Sequence, residues 1–268
     1  METGCADGAT NMAIDEAILE SYVDGESAPT LRLYGWRPPC VSVGYFQSLL
    51  SEVRVERCRE IGVDWVRRPT GGRLILHDME LTYSVVASER DPLVSGGILE
   101  SYRKISEALR TGLGLLGVEA HLADPTNPAV AAASKMKGGL CFDAAAGHEL
   151  TVGGRKIAGS AQVRRRGRIL QHGTLLLDVA IDRLFQVVRL PSERTLLEFA
   201  AGFHHEVVTL REAMARTPSV DEVASAIKRG FVRAWGVDLI KGALTEGEKA
   251  MASTLRRKYA GDEWNLAR

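Results

Sequence analysis

The chain has 268 residues, 45% hydrophobic and 25% charged, with a formal net charge of zero. That length holds one large domain, the neutral balance nominates neither nucleic acid nor a membrane surface as partner, and no apolar run reaches the length of a transmembrane helix. The start carries Glu2 and Asp7 in place of a basic, then apolar, leader, and the four dispersed cysteines (Cys5, Cys40, Cys58, Cys141) form no Cys-x-x-Cys pair, so no signal peptide, zinc site or disulfide framework is expected and a cytoplasmic setting fits.

In chain order, Asn11 to Val23 reads as a helix, capped by Thr10 or Asn11, with Met12, Ile14, Ala17, Ile18 and Leu19 as its apolar face and Asp15 and Glu16 on its solvated side. Leu31 to Trp36 is a strand, broken by Pro38-Pro39, and Cys40 to Tyr45 is a second one. Val53 to Ile61 reads as a helix stopped by Gly62, followed by a β-like Val63 to Arg68. Arg67-Arg68-Pro69-Thr70-Gly71-Gly72 is then a turn that exposes backbone beside two arginines; such a turn can cradle an anion or a carbonyl, although a Gly-Gly turn alone is weak evidence. Arg73 to His77 and Leu81 to Ala87 are strands around a turn at Asp78-Met79-Glu80.

Ile98, Tyr102, Ile105, Leu109, Leu113 and Leu116 follow a 3.6-residue period and mark a long amphipathic helix ended by Gly117. Val118 to Leu122 is a strand. Residues 124 to 140 are irregular, and they deliver Cys141. Two hairpins follow. His148 to Val152 turns at Gly153-Gly154 into Lys156 to Arg164, which turns at Arg165-Arg166-Gly167 into Ile169 to Asp178. Lys156 starts a strand just past a glycine turn, where a long amine can reach into a cleft. Beside Cys141 it would lower the thiol pKa and make a nucleophile. The remainder is helical: Ile181 to Val188, Ser192 to Ala201, a helix with Val220, Val223, Ile227 and Phe231, and Thr245 to Tyr259, with Thr245 and Glu248 at capping-box spacing. The composition is thus α/β (α+β), strands mixed with helices and then a helical C-terminal third.

These stretches resemble the lipoate–protein ligase and octanoyltransferase family, related in fold to biotin–protein ligases. The resemblance rests on Asn11-Met12-Ala13-Ile14-Asp15-Glu16-Ala17, on Arg67 to Gly72 with His77-Asp78, on Gly154-Arg155-Lys156-Ile157-Ala158-Gly159-Ser160-Ala161-Gln162, and on Leu170-Gln171-His172-Gly173-Thr174, in the family's order. It implies a biotin/lipoate-ligase-like catalytic domain over residues 1–240, with mixed, mostly antiparallel sheets flanked by helices, and a helical extension of the same domain over 241–268. Cys141-Phe142-Asp143, fifteen positions before Lys156, resembles the Cys-dependent octanoyltransferases of Gram-positive type, although Ala144-Ala145-Ala146-Gly147 departs from their Pro-Ser. Arg73 stands where ATP-dependent ligases carry a third glycine, and the separate C-terminal domain usual in single-chain ligases is missing from the sequence.

The implied reaction moves octanoyl from the phosphopantetheine of acyl carrier protein, through a Cys141 thioester, to a lysine on a lipoyl domain of glycine cleavage H protein or a 2-oxoacid dehydrogenase E2. It needs no metal or further cofactor. Cys141 and Lys156 would be catalytic. Arg67, Arg68, Thr70, Gly71, Gly72, Arg73, His77, Gly159, Ser160, Ala161, His172 and Gly173 would bind substrate, the small residues letting the acyl chain lie against backbone at about 0.8 kcal/mol per buried methylene. His77, His172 or water would take the proton of the attacking amine. His172 reads equally as a satisfied core histidine. The Arg164 to Arg168 turn is a solvated hairpin tip or a dock for an acidic partner. Cys5, Cys40 and Cys58 read as structural, and the protein as a monomer. An ATP-dependent ligase, an amidotransferase between lipoyl domains, and a non-catalytic lipoyl-domain binder remain as alternatives.

Overall fold

A computed structural model describes residues 1–23, 25–123, 149–190 and 195–267. Along these the elements are β1 (Glu2–Ala6), α1 (Gly8–Ser21), β2 (Thr30–Trp36), β3 (Cys40–Val43), α2 (Leu49–Glu52), α3 (Val55–Ile61), β4 (Asp64–Arg67), β5 (Ile75–His77), β6 (Glu80–Ser88), α4 (Ile98–Leu115), β7 (His121–Leu122), β8 (Leu150–Val152), β9 (Arg155–Lys156), β10 (Ala158–Arg165), β11 (Arg168–Leu176), α5 (Ile181–Val187), α6 (Leu196–Glu206), α7 (Leu210–Met214), α8 (Val220–Trp235), α9 (Glu246–Ala260) and α10 (Asp262–Asn265). Cys141 and its flanking Phe142 to Gly147 lie outside the described residues.

The main sheet has the order β1-β2-β6-β11-β10, parallel only between β1 and β2. A second sheet, β4-β3-β5, is parallel on one side of β3 and antiparallel on the other. A third, small sheet is β7-β8-β9. The main sheet is covered on both faces. Leu33, Tyr83, Val85 and Ile169 pack on one side with Ile105 and Leu109 of α4 and Ile227 and Phe231 of α8. Gly112 and Gly230 let these two helices touch: a Cβ on Gly230 would sit 2.4 Å from the Gly112 nitrogen. On the other face Ile18, Leu19 and Tyr22 of α1 pack on Val86 and Leu170.

The hairpin turns fall where the glycines place them. Gly153 and Gly154 have φ of 57° and 79°, and Arg166 and Gly167 of 51° and 77°. Gly62 and Gly236 end α3 and α8 in left-handed conformation. The Thr245–Glu248 capping box is formed.

The sequence reading needs four corrections. The first helix starts at Gly8, capped by Asp7, whose Oδ1 accepts from the Thr10 amide at 2.7 Å. Its acids are not solvated: Asp15 is 0% and Glu16 4% exposed, because α1 is held between the sheet and α9. The return strand after Gly154 is two strands. It changes sheet at Ile157, where the Lys156 carbonyl is claimed by the Val208 amide at 3.0 Å and the Ile157 amide bonds the Leu150 carbonyl at 3.0 Å. The arginine turn is solvated only at its tip, Arg166 and Gly167, and its other arginines are tied down. Arg165 bonds Glu16 at 2.5 Å, Arg168 bonds the Leu19 and Glu20 carbonyls, and Arg164 bonds the Gly96 carbonyl and Ser101.

Candidate active site

The glycine loop, residues 69–73, joins β4 to β5 within the second sheet, and it is held in place from three sides. Arg68 reaches along it, donating to the Gly71 and Arg73 carbonyls at 3.0 and 2.9 Å. The Tyr45 amide donates to the Thr70 carbonyl at 2.8 Å. Gly44 fits only without a Cβ, which would lie 1.9 Å from the Gly72 carbonyl oxygen. Gly72 itself has a φ of 89°.

Against this loop lies a narrow pocket with about 380 Å³ of atom-free space including its mouth, walled by Met12, Tyr34, Trp36, Ile75, Thr82 and Thr174 and by eight residues singled out from the sequence: Arg68, Gly72, His77, Gly159, Ser160, Ala161, His172 and Gly173. The wall is mostly apolar, as an acyl chain requires. At Gly173 the ladder leaves no room for a side chain: a Cβ would meet Ser160 Oγ at 2.4 Å, the Gly159 carbonyl oxygen at 2.5 Å and Tyr83 Cε1 at 2.8 Å. Ser160 Oγ is also bound to the Tyr83 hydroxyl at 2.7 Å.

Two buried acid–histidine–hydroxyl chains lie behind the loop, one ending on it at Thr70 and the other on Ser42 of β3 beside Arg68. In one, Asp15 Oδ2 meets His172 Nδ1 at 3.2 Å and His172 Nε2 meets Thr70 Oγ1 at 2.7 Å. In the other, Glu80 Oε1 meets His77 Nδ1 at 3.0 Å and His77 Nε2 meets Ser42 Oγ at 2.6 Å, which in turn accepts from Arg68 at 2.7 Å. Trp36 stacks on the His77 ring with centroids 4.0 Å apart. Asp15 also accepts from Arg32 at 2.7 Å, Tyr34 at 2.8 Å and Ser84 at 2.8 Å. Burial alone would push its carboxyl up; Arg32 and His172 more than offset that and hold it at about 2. For His172 the burial wins: it lowers the ring pKa against the opposing pull of Asp15, and the nearby Arg68 and His77 add to the lowering.

Five predicted residues stand off the pocket wall. Thr70, Gly71 and Arg73 are in the loop and serve as its anchors. Arg67 turns the other way, its guanidinium donating to the carbonyls of Gly44, Tyr45, Gln47, Trp264 and Asn265 at 2.5–3.2 Å. Lys156 is buried, and its Nζ lies 2.6 Å from Glu149 Oε1. Asn11, Asp15, Arg32, Ser42 and Glu80 were missed. For Asn11 and Asp15 a signal existed: Asp15 falls three residues from Met12 and Ile18 and four from Leu19, and Asn11 falls seven and eight from Ile18 and Leu19, on the apolar, inward face of the helix. Of the described thiols, Cys40 and Cys58 are raised by burial, Cys58 to about 11, so neither is a ready nucleophile. Among the described residues no group of three or more His, Cys, Asp or Glu is placed to hold a metal ion, and no helix is long and apolar enough to cross a membrane.

A fold of this kind, closing a glycine loop over an apolar slot, defines a class, and the chain belongs to it: the lipoyl protein ligase A/B catalytic domain family, matched over residues 7–232. Within that class it is 49% identical over 267 residues to octanoyltransferase LipM of Symbiobacterium thermophilum, covering 99% of this chain and 97% of the relative. It is 41% identical over 270 residues to octanoyltransferase LipM of Bacillus subtilis, covering 100% and 97%. Among solved structures, lipoate-protein ligase A bound with ATP superposes with a TM-score of 0.79 at 28% identity, over 99% of this chain and 96% of the other. The bi-partite lipoate protein ligase of Thermoplasma acidophilum, described together with its E2 lipoyl domain, gives 0.80 at 28% identity, over 99% and 94%. The lipoate-ligase-like fold expected from the sequence is therefore the fold observed.

Proposed function

We propose that the protein is an octanoyltransferase of lipoate biosynthesis, working in the cytoplasm. The Cys141 thiolate attacks the octanoyl thioester on the phosphopantetheine of acyl carrier protein, and the phosphopantetheine sulfur leaves and takes up the proton that Cys141 gave up on ionising. The neutral amine of a lysine on a lipoyl domain, in glycine cleavage H protein or a 2-oxoacid dehydrogenase E2, then attacks the Cys141 thioester. An amide forms, the carbon–sulfur bond breaks, and the amine's proton ends on the sulfur. Thioester to amide is downhill, so neither ATP nor a metal enters. Lys156 would favour the thiolate as a neighbouring ammonium.

The observation that carries this reading is 41–49% identity to octanoyltransferases over nearly the whole chain. Three others support it. Gly72, Gly159 and Ala161 give a slot walled by small residues. Cys40 and Cys58 are held as thiols by burial. Arg73 occupies the position where a further glycine would admit an adenylate.

The test is to incubate the protein with octanoyl-acyl carrier protein and a lipoyl domain, with and without ATP. Octanoylation of the lipoyl domain without ATP is expected. Modification only with ATP and free lipoate would make it a ligase, the reading that its likeness to the ATP-bound ligase structure favours.

A further inference from the structure

We propose that Asp15 and His172 are positioning residues of the transferase: the Asp15 carboxylate fixes His172 as its Nδ1–H tautomer, so that Nε2 accepts the Thr70 hydroxyl and holds the glycine loop against the pocket. This role rests on the octanoyltransferase reading; the hydrogen-bond assignment does not. Asp15 Oδ2 faces His172 Nδ1 at 3.2 Å and is acceptor-only when ionised, so Nδ1 donates. A neutral ring then has only a lone pair at Nε2. The hydroxyl of Thr70, 2.7 Å away and fully buried, must donate to it. Thr70 leads directly into Gly71 and Gly72, and its carbonyl is tied to Tyr45, so one proton arrangement fixes the entry to the loop. The charged and titratable groups around the ring agree with neutrality. Asp15 of α1 faces it, Arg68 and His77 are the nearby cations or potential cations, and Arg32 and Tyr34 of β2 are spent on Asp15. Burial lowers the His172 pKa in the same sense.

Asp15→Asn tests the tautomer at nearly constant shape. Arg32, which can only donate, and Ser84 face the Oδ1 side, so the amide oxygen belongs there, and the amide NH₂ faces His172 and the Tyr34 hydroxyl, which turns to accept. The ring is forced to Nε2–H, which turns its bond to Thr70 around. Ring-nitrogen NMR of the ¹⁵N-histidine-labelled protein near neutral pH should show Nδ1 protonated and Nε2 bare in the wild type, and the reverse in D15N. With octanoyl-acyl carrier protein and a lipoyl domain, kcat of D15N should fall by about tenfold or more while KM for the donor changes by less than about threefold, as expected when a buried carboxylate only orients a histidine. The acid limb of kcat/KM that His172 imposes should vanish in His172→Gln, whose amide oxygen still accepts from Thr70. Thr70→Ser should keep that limb, whatever its rate, and Thr70→Val should lose kcat as D15N does. An Nε2–H or doubly protonated ring in the wild type, or an acid limb unchanged in His172→Gln, overturns the proposal. A wild type that transfers no octanoyl defeats the reading of function instead, and the NMR assignment still decides the relay.

Discussion

Asp15 has four partners, all of them buried: Arg32, Tyr34, Ser84 and His172. A carboxylate so placed is stable only as a member of its cluster, and removing it leaves Arg32 uncompensated. Asp15→Ala should therefore cost about 3–5 kcal/mol, read as a fall in the denaturant midpoint; an unchanged midpoint would mean that the cluster is not formed. Gly173 offers a second test at this scale. An added methyl would press on the Gly159 carbonyl oxygen at 2.5 Å, in a ladder that cannot yield on one strand alone. Gly173→Ala should cost about 1–3 kcal/mol by overpacking and should narrow the acyl slot, so octanoyl transfer should fall further than stability does. Equal transfer by this variant, measured at a temperature where it is folded, would place the acyl chain elsewhere. Much of the pocket wall could be read from the sequence, because the glycine loop and the Gly159-Ser160-Ala161 and His172-Gly173 stretches occur together in the order of the family they resemble, although each is weak evidence alone. The acids were harder, because a charged residue on a helix is usually solvated: Asp15 faces Arg32, Tyr34, Ser84 and His172 on the sheet side of α1, whereas Glu16 is interior only because Lys258 of α9 arrives on the outer side.

The elements most legible in the sequence are those whose signals are local. Gly153-Gly154 and Arg166-Gly167 specify their turns, and Thr245 with Glu248 specifies a helix start, without reference to the rest of the chain. Those that were missed depend on distant partners. β1 pairs in parallel at the sheet edge, α7 is a five-residue turn, and the break at Ile157 exists because Val208 takes the Lys156 carbonyl. The last two helices show the same dependence. Trp264 Nε1 donates to the Arg67 carbonyl at 2.9 Å, the Arg67 amide donates to Asn265 Oδ1 at 2.8 Å, and Tyr259 is fully buried. Through Arg67 this segment braces the turn at Gly44 to Gln47, on which the glycine loop rests. Asn265→Ala leaves the buried Arg67 amide without this acceptor and should cost about 1–3 kcal/mol. The residues around Thr70 should then exchange their amide hydrogens faster than those of the distant α4–α8 pair. Uniform exchange across both regions would contradict the brace.

At the scale of the whole molecule, the buried pair sets the acid side of stability. His172 has its folded pKa below the ordinary 6.5, so the unfolded chain binds the proton more readily. Its contribution is complete above about pH 6.5 and is lost as pH falls below that. Asp15, lowered from 3.8 to about 2, contributes about 2 kcal/mol that is complete above roughly pH 4 and lost between there and pH 2. Urea unfolding followed across this range should show two successive losses, the first absent in His172→Gln. A stability flat from pH 7 to pH 5 would contradict the neutral, buried ring.

The central claim is that octanoyl passes through the protein itself, and intact-mass analysis after mixing with octanoyl-acyl carrier protein, without ATP, tests it most directly. The account predicts one octanoyl adduct, mapped to Cys141, absent in Cys141→Ser and discharged by a lipoyl domain. An adduct on another residue, or transfer by Cys141→Ser at the wild-type rate, would contradict it.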